Sequence, residues 1–136
     1  MIVVDASVAL AWVLPDTQSN QRYSAVIAQA GLARTEELLA PRLLTTECSY
    51  RLLKYGRRHH WGEAKIAESA EVIDLFNIRY FDNADAVASL VRFAVRHHVQ
   101  GYDAIYLGLA MQLGAKLATL DGGLKTAARA AGVGIA

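Results

Sequence analysis

Four acidic residues stand where predicted strands end or where predicted helices begin. They are Asp5, Glu47, Asp103 and Asp121. The first follows Ile2-Val3-Val4, a β-branched run typical of a strand buried in a parallel sheet. The last directly follows a predicted strand over 116–120. Because strand ends and the following helix starts share one edge of a parallel sheet, the four carboxylates are predicted to converge there.

Convergent carboxylates repel one another and need either protons or cations. Two like charges about 4 Å apart cost about 4 kcal/mol at an effective dielectric of about 20. Hard oxygen ligands favour Mg²⁺ or Mn²⁺ over zinc. An acidic pocket that binds such ions is suited to phosphodiester hydrolysis by metal-activated water. The pattern therefore predicts a metal-dependent hydrolase site.

Each acid also has an ordinary structural interpretation. Asp5 could cap a helix, and Asp103 could be a first-turn charge favoured by the helix dipole. Asp121-Gly122-Gly123 could be a turn, and Glu47 could be a solvated helix residue. The sequence alone leaves these alternatives open.

The elements that must position these acids alternate along the chain. Strands are predicted at 2–4, 38–41, 78–81, 116–120 and 133–135. Helices are predicted at 8–14 (capped by Ser7), 19–32, 43–59, 63–76, 88–97 (capped from Asp82 to Asp85), 103–113 (closed by Gly114) and 124–131. This alternation predicts one α/β domain over residues 1–136, a three-layer α/β/α sandwich with a central, mainly parallel sheet.

Composition narrows the functional classes. The 136 residues are 54% hydrophobic with a formal net charge of +1, so a shared apolar surface is expected and global charge indicates no nucleic-acid binder. The single cysteine, Cys48, excludes an internal disulfide and suits a reducing compartment. No signal peptide or membrane span is predicted, and we expect a cytoplasmic protein.

Two basic clusters and several aromatic residues have more than one interpretation. The clusters are Lys54, Arg57, Arg58, His59 and His60, and Arg92, Arg96, His97 and His98. They could form a phosphate-binding rim or be cations favoured at helix C-termini. The aromatic residues are Trp12, Tyr50, Tyr55, Trp61 and Tyr102. They could stack bases or make core and partner contacts, the latter being expected of Trp12. Surplus apolar surface is expected on the early helices.

Four motifs together resemble the PIN-domain family, and specifically VapC-type toxins of bacterial and archaeal toxin–antitoxin pairs. They are Ile2-Val3-Val4-Asp5-Ala6-Ser7, Thr45-Thr46-Glu47, Tyr102-Asp103-Ala104-Ile105-Tyr106-Leu107-Gly108-Leu109-Ala110 and Leu117-Ala118-Thr119-Leu120-Asp121-Gly122-Gly123-Leu124. Their order and spacing cover nearly the whole chain.

The resemblance implies a PIN-like fold and a Mg²⁺- or Mn²⁺-dependent endoribonuclease. It implies that Asp5, Glu47, Asp103 and Asp121 are the catalytic, metal-binding centre. Ser7 and Thr119 match hydroxyl positions that support it. It further implies an RNA substrate, a cognate antitoxin and a homodimer. One position departs from the family, since Tyr50 stands where many relatives have Asn.

Other function classes are also weighed. A non-catalytic PIN-like interaction module is the principal alternative. A phosphoacceptor receiver-like domain fits poorly, because Val4 and Ala6 flank Asp5 where a second acid is usual. A haloacid-dehalogenase-type phosphatase would need Asp at position 7, where this chain has Ser7.

Overall fold

A four-stranded parallel sheet forms the centre of the structure, a computed structural model that describes residues 1–136. The strands are β1 (Ile2–Val4), β2 (Leu38–Pro41), β3 (Arg79–Phe81) and β4 (Lys116–Ala118). Their order is β3-β2-β1-β4, and every pair is parallel. Val4 pairs with Ala118, so β1 and β4 end side by side. The chain that leaves each of these two strands therefore starts from the same edge.

Seven helices cover this sheet. They are α1 (Ala6–Ala11), α2 (Gln18–Leu32), α3 (Leu43–Arg58), α4 (Glu63–Asp74), α5 (Val87–His97), α6 (Asp103–Leu113) and α7 (Gly122–Ala130). Helix α3 contacts β2, with α1 and α4 beside it, and α2 packs on α1. Helix α6 lies against β1, β2 and β4, with α5 and α7 beside it. The predicted α/β/α sandwich is confirmed. None of these helices combines the length and the apolar character that crossing a membrane requires.

Helix α6 is buried on more than one side because its sequence is apolar around much of its circumference. Its buried side chains are Ala104, Tyr106, Leu107, Leu109 and Ala110. Such a helix suits the middle of a layer, with the sheet on one side and helices on the others. Because α6 begins at Asp103, its burial fixes the position of one predicted acid.

Several predicted boundaries are wrong at the ends of the elements. Strand β4 stops at Ala118, and residues 133–135 form only an isolated bridge between Ile135 and Leu117. Gly122 and Gly123 are not a turn, because they open α7 behind an Asp121 cap.

Two predicted helix caps are also wrong. Helix α1 begins at Ala6 with Asp5 as its N-cap, so Ser7 lies inside the helix. Helix α5 begins at Val87 behind Ala86, which makes no side-chain cap hydrogen bond. The acids at 82 and 85 do not cap α5, and Asp82 instead pairs with Arg42 at 2.7 Å.

The predicted end of α6 at Gly114 is confirmed, and it generates a test. Gly114 adopts φ +61, a left-handed conformation that costs an L-residue about 1–2 kcal/mol. We expect Gly114→Ala to lower the free energy of unfolding in urea by about that amount. Gly122→Ala is the matched control, because Gly122 opens α7 with no atom within 4 Å of an added Cβ. An equal loss in both variants would contradict the backbone explanation.

Candidate active site

All four predicted acids line one open cleft at the edge of the sheet where β1 and β4 end. The cleft has a volume of about 530 Å³. Its lining includes Asp5, Glu47, Asp103 and Asp121, together with Ser7, Arg51, Tyr55 and Tyr106. The predicted convergence of residues from four separate segments is therefore present in the structure. The chemical roles of these residues remain predictions.

Asp5 is the most tightly held of the acids. Only 5% of the residue is exposed. Its Oδ1 accepts hydrogen bonds from the Ser7 hydroxyl at 2.5 Å and from the Val8 N–H at 3.2 Å, and its Oδ2 accepts one from the Thr119 hydroxyl. The Ser7 Oγ in turn accepts from the Leu120 N–H at 2.9 Å. Asp5 thus caps α1 and joins the exits of β1 and β4, so the capping interpretation is confirmed for a residue that also lines the cleft.

Burial sets the electrostatics of Asp5. Desolvation raises the pKa of this carboxyl, and the hydrogen bonds from Ser7 and Thr119 oppose that rise in part. The two carboxylate oxygens offer about four acceptor positions, of which protein donors occupy three. An open acceptor position therefore remains at Oδ2.

Asp121 is held in a similar way at the exit of β4. Its Oδ2 accepts a hydrogen bond from the Leu124 N–H at 2.7 Å, which caps α7. Its own N–H donates to the Thr119 Oγ1 at 3.0 Å. The Thr119 hydroxyl, which the sequence analysis gave as a supporting group, therefore makes contacts with both the Asp5 carboxylate and the backbone of Asp121.

Glu47 projects into the cleft from the second turn of α3 and is oriented by a partner that the sequence analysis missed. The Tyr106 hydroxyl donates a hydrogen bond to Glu47 Oε1 at 2.9 Å. Tyr106 is only 1% exposed, so its ring has little freedom. Desolvation raises the pKa of Glu47, and the Tyr106 bond lowers it in part. The position of Tyr106 one helical turn after Asp103 was an available signal for this role.

Asp103 shows that the four acids share one electrostatic environment. Its pKa is raised to about 6, first by desolvation and then by the charges of Asp121, Asp5 and Glu47, in that order. A cation that reduces the local negative charge stabilises the ionised form of a carboxyl with three acidic neighbours. The cleft is therefore a region of concentrated negative charge on a chain whose formal net charge is +1.

The donor set of the cleft fits a hard divalent cation. Its lining has carboxylate and hydroxyl oxygens and no Cys or His, which is the set that Mg²⁺ and Mn²⁺ prefer. As the side chains stand, no group of three or more His, Cys, Asp or Glu residues is arranged to hold a metal ion. The fit of a divalent cation to the cleft therefore rests on the chemistry of the oxygen donors and on the repulsion between the carboxylates.

The remaining candidates separate into lining and non-lining residues. Arg51 and Tyr55 line the cleft one and two turns beyond Glu47 on α3, although only Tyr55 was considered from the sequence. Tyr50, where relatives often have Asn, is 63% exposed and lies outside the lining. Trp12 packs 4.2 Å from Phe76 between ring centroids, which confirms a structural role.

Comparisons with known proteins agree with this geometry. Residues 2–130 match the family described as PIN domain. The chain is 30% identical over 122 residues to Ribonuclease VapC3 of Pyrobaculum aerophilum, covering 88% of each chain. Its fold is similar to the crystal structure of PAE2754 from the same organism, with a TM-score of 0.70 and 21% identity, over 93% of this chain and 78% of the other.

The raised pKa of Asp103 predicts a pH-dependent stability in the absence of divalent ions. The Asp103 carboxyl stays protonated up to about pH 6 in the folded state but only up to about pH 3.8 in the unfolded state. The contribution of this protonation to the stability of the fold is therefore complete below pH 3.8. It is lost as the pH rises through the upper of these two values. Asp103→Asn should therefore gain stability relative to the wild type as the pH rises from about 3.8 to about 6 and keep a constant advantage at higher pH, measured by urea unfolding in EDTA. Asp85→Asn, outside the cleft, is the control, and a gain for Asp103→Asn that is independent of pH would contradict the explanation.

Proposed function

The chain belongs to the PIN-domain family and to its VapC-type branch, and from that premise we propose that it is a divalent-metal-dependent endoribonuclease, the toxin of a toxin–antitoxin pair. The observation that carries the proposal is the meeting of Asp5, Glu47, Asp103 and Asp121 in one cleft. A relative that bears the name Ribonuclease VapC3 supports the choice of RNA as substrate.

The proposal assigns metal binding to these four acids. Asp5, Asp103 and Glu47 would hold the principal Mg²⁺ or Mn²⁺, and Asp121 would complete the site directly or through water. When bound, such an ion supplies Lewis acidity that activates water and stabilises the charge developing on the phosphate. No side chain of the cleft is proposed as a nucleophile.

The other residues keep this centre in place. Ser7 and Thr119 donate hydrogen bonds to Asp5, so its carboxylate cannot rotate freely. The buried Tyr106 hydroxyl does the same for Glu47. Positioning of this kind reduces the reorganisation that a reacting phosphate would otherwise require. We assign these three residues to positioning and not to proton transfer.

Two protein partners belong to the proposal. A cognate antitoxin would hold the toxin inactive. A second copy of the chain would pack on α5, an 11-residue helix with no buried residue. Val87, Val91 and Val95 recur every fourth residue along it and are 82%, 56% and 71% exposed. Val26 and Leu32 on α2 are also exposed, at 62% and 61%, so the apolar surface expected on the early helices is present as well.

The charges near α5 favour a second copy as its occupant. Asp82, which also pairs with Arg42, and Asp85 precede the helix, whereas Arg92 lies at its middle and Arg96 in its last turn. In an antiparallel two-fold pairing, the acidic end of one helix faces the basic end of the other. The valine stripe would then be buried between the two copies, supplying the apolar core of the interface.

The cleavage proposal predicts that single-stranded RNA is cut in Mg²⁺ or Mn²⁺ and not in EDTA. Asp103→Asn should reduce the initial rate about a hundredfold or more, because the carboxylate that helps to hold the ion is lost. The measurement is gel analysis of a labelled RNA, with folding checked by circular dichroism.

The matched control for this test is Asp85→Asn, an exposed acid outside the cleft that should cleave at the wild-type rate. Full activity of Asp103→Asn, or undiminished wild-type activity in EDTA, would refute the mechanism. Absence of both cleavage and Mg²⁺ or Mn²⁺ binding by calorimetry would favour the non-catalytic interaction module instead.

The dimer proposal predicts that Val91→Glu shifts the protein to a monomer in analytical ultracentrifugation, because two charges would be buried in the α5 interface. Val26→Glu on α2 is the control, since Val26 is similarly exposed at 62%. A monomeric wild type, or a dimer that persists in Val91→Glu, would refute this interface.

A further inference from the structure

A row of side chains leads from the acidic cleft along one face of α3. Arg51, Tyr55 and His59 follow Glu47 at intervals of four residues, and we call these three the α3 ridge. Arg51 and Tyr55 line the same cleft as Glu47, and the His59 ring stacks on the Tyr55 ring with centroids 3.9 Å apart and planes at 15°. From Glu47 to His59 the helix rises about 18 Å, which is room for several nucleotides of a single strand.

The aromatic part of the ridge is built from outside the helix as well. Trp61 lies edge-on to Tyr55, with ring centroids 5.2 Å apart. Gly56, where an added Cβ would lie 2.6 Å from the Ile66 side chain, lets α4 pack closely beside this part of α3. Lys65 Nζ lies 4.2 Å from the centroid of the Trp61 ring. The rings are therefore fixed next to one another at the surface, with a cation at the far end.

The arginine of the ridge makes no ion pair within the protein, although its charge lowers the pKa of the neighbouring Glu47 in part. Arg51 takes part in no ion pair or side-chain hydrogen bond, although it lies in a cleft lined by five acids, the four site acids and Asp16. Between Cys48 and Gly62 the chain has four basic residues, Arg51, Lys54, Arg57 and Arg58, and no acidic residue. The basic segment of α3 suits phosphate, whereas the neighbouring acidic cleft suits cations.

Capping of the helix C-terminus does not account for this arrangement. The helix dipole favours cations only in the last turn, whereas Arg51 lies two turns before Arg58, the last residue of α3. The dipole also gives no reason for stacked rings at the surface. A basic groove with aromatic side chains is the combination that binds single-stranded nucleic acid, by phosphate contacts and base stacking.

We propose that the α3 ridge binds single-stranded RNA next to the cleavage site, with Arg51 contacting the phosphate nearest the acidic cleft and Tyr55 and His59 stacking on bases of the same strand. This inference rests on the proposed function for its choice of substrate. It adds the path of the strand, which runs from the cleft towards the end of α3. The ridge residues position the substrate and take no part in the chemical step.

The test measures binding separately from cleavage. Fluorescence anisotropy of a labelled single-stranded RNA is recorded in the Asp103→Asn background, over a series of salt concentrations. Inorganic polyphosphate, which has phosphates but no bases, is the competing probe. Wild-type cleavage in Mg²⁺ or Mn²⁺ is assayed in parallel, so that failure of the ridge and failure of the proposed ribonuclease are distinguishable.

Arg51 and Tyr55 have distinct expected signatures. Arg51→Gln should weaken binding of both RNA and polyphosphate, and should reduce the slope of log affinity against log salt by about 0.7 for RNA. Tyr55→Leu should weaken RNA binding about tenfold with an unchanged salt slope, and should leave polyphosphate binding unchanged. Tyr55→Phe, which keeps the ring, should bind RNA as tightly as the parent.

Arg129→Gln is the control for charge, since Arg129 is an exposed arginine at the far end of α7. RNA binding that is unaffected by Arg51→Gln and Tyr55→Leu would overturn the ridge, even if the wild type cleaves RNA. Equal losses in Arg51→Gln and Arg129→Gln would also overturn it, because binding would then follow net charge alone. A loss of polyphosphate binding in Tyr55→Leu would overturn the stacking role.

Discussion

The structure depends on the burial of one carboxylate, that of Asp5, at the point where β1 and β4 end together. A buried charge without partners is strongly unfavourable, and here the Ser7 and Thr119 hydroxyls and the Val8 N–H supply those partners. The donors come from both ends of the chain, so this interaction closes the sheet edge as well as fixing the acid. The geometry of the candidate site and the integrity of the fold are therefore linked at the same residue.

Asp121, the acid at the exit of β4, combines two roles in the same way as Asp5. Asp5 caps α1 and Asp121 caps α7, and both also face the cleft. Each cap leaves acceptor positions free, because one carboxylate has more of them than a helix start requires. The two remaining acids are borne by α3 and α6, whose packing on the sheet fixes their distance from the first pair. Desolvation is the largest cause of the raised pKa values of Asp5, Glu47 and Asp103, and the charges of neighbouring carboxylates add to it at Glu47 and Asp103.

The net charge of +1 conceals a strong separation of charge. Acids concentrate in the cleft, whereas α3 beyond Glu47 is basic, and the arginines of α5 form a second basic region. A polyanionic strand would be repelled by the cleft without cations and attracted by the helix beside it. The local placement of the charges, and not the net charge of the chain, therefore favours a nucleic-acid substrate.

The sequence by itself determined the element types, the parallel α/β class, the end of α6 at Gly114 and the four acids at one sheet edge, because each follows from local pattern and chain direction. It misplaced the start of α7 and the cap of α1, where Asp5 and Asp121 act as caps as well as site residues. Only the tertiary structure joined Tyr106 to Glu47 across 59 positions and Thr119 to Asp5 across 114. It alone brought Arg51 into the cleft. Such contacts depend on strand order and on the rotation of each helix about its axis, which packing of the whole core decides and no local pattern encodes.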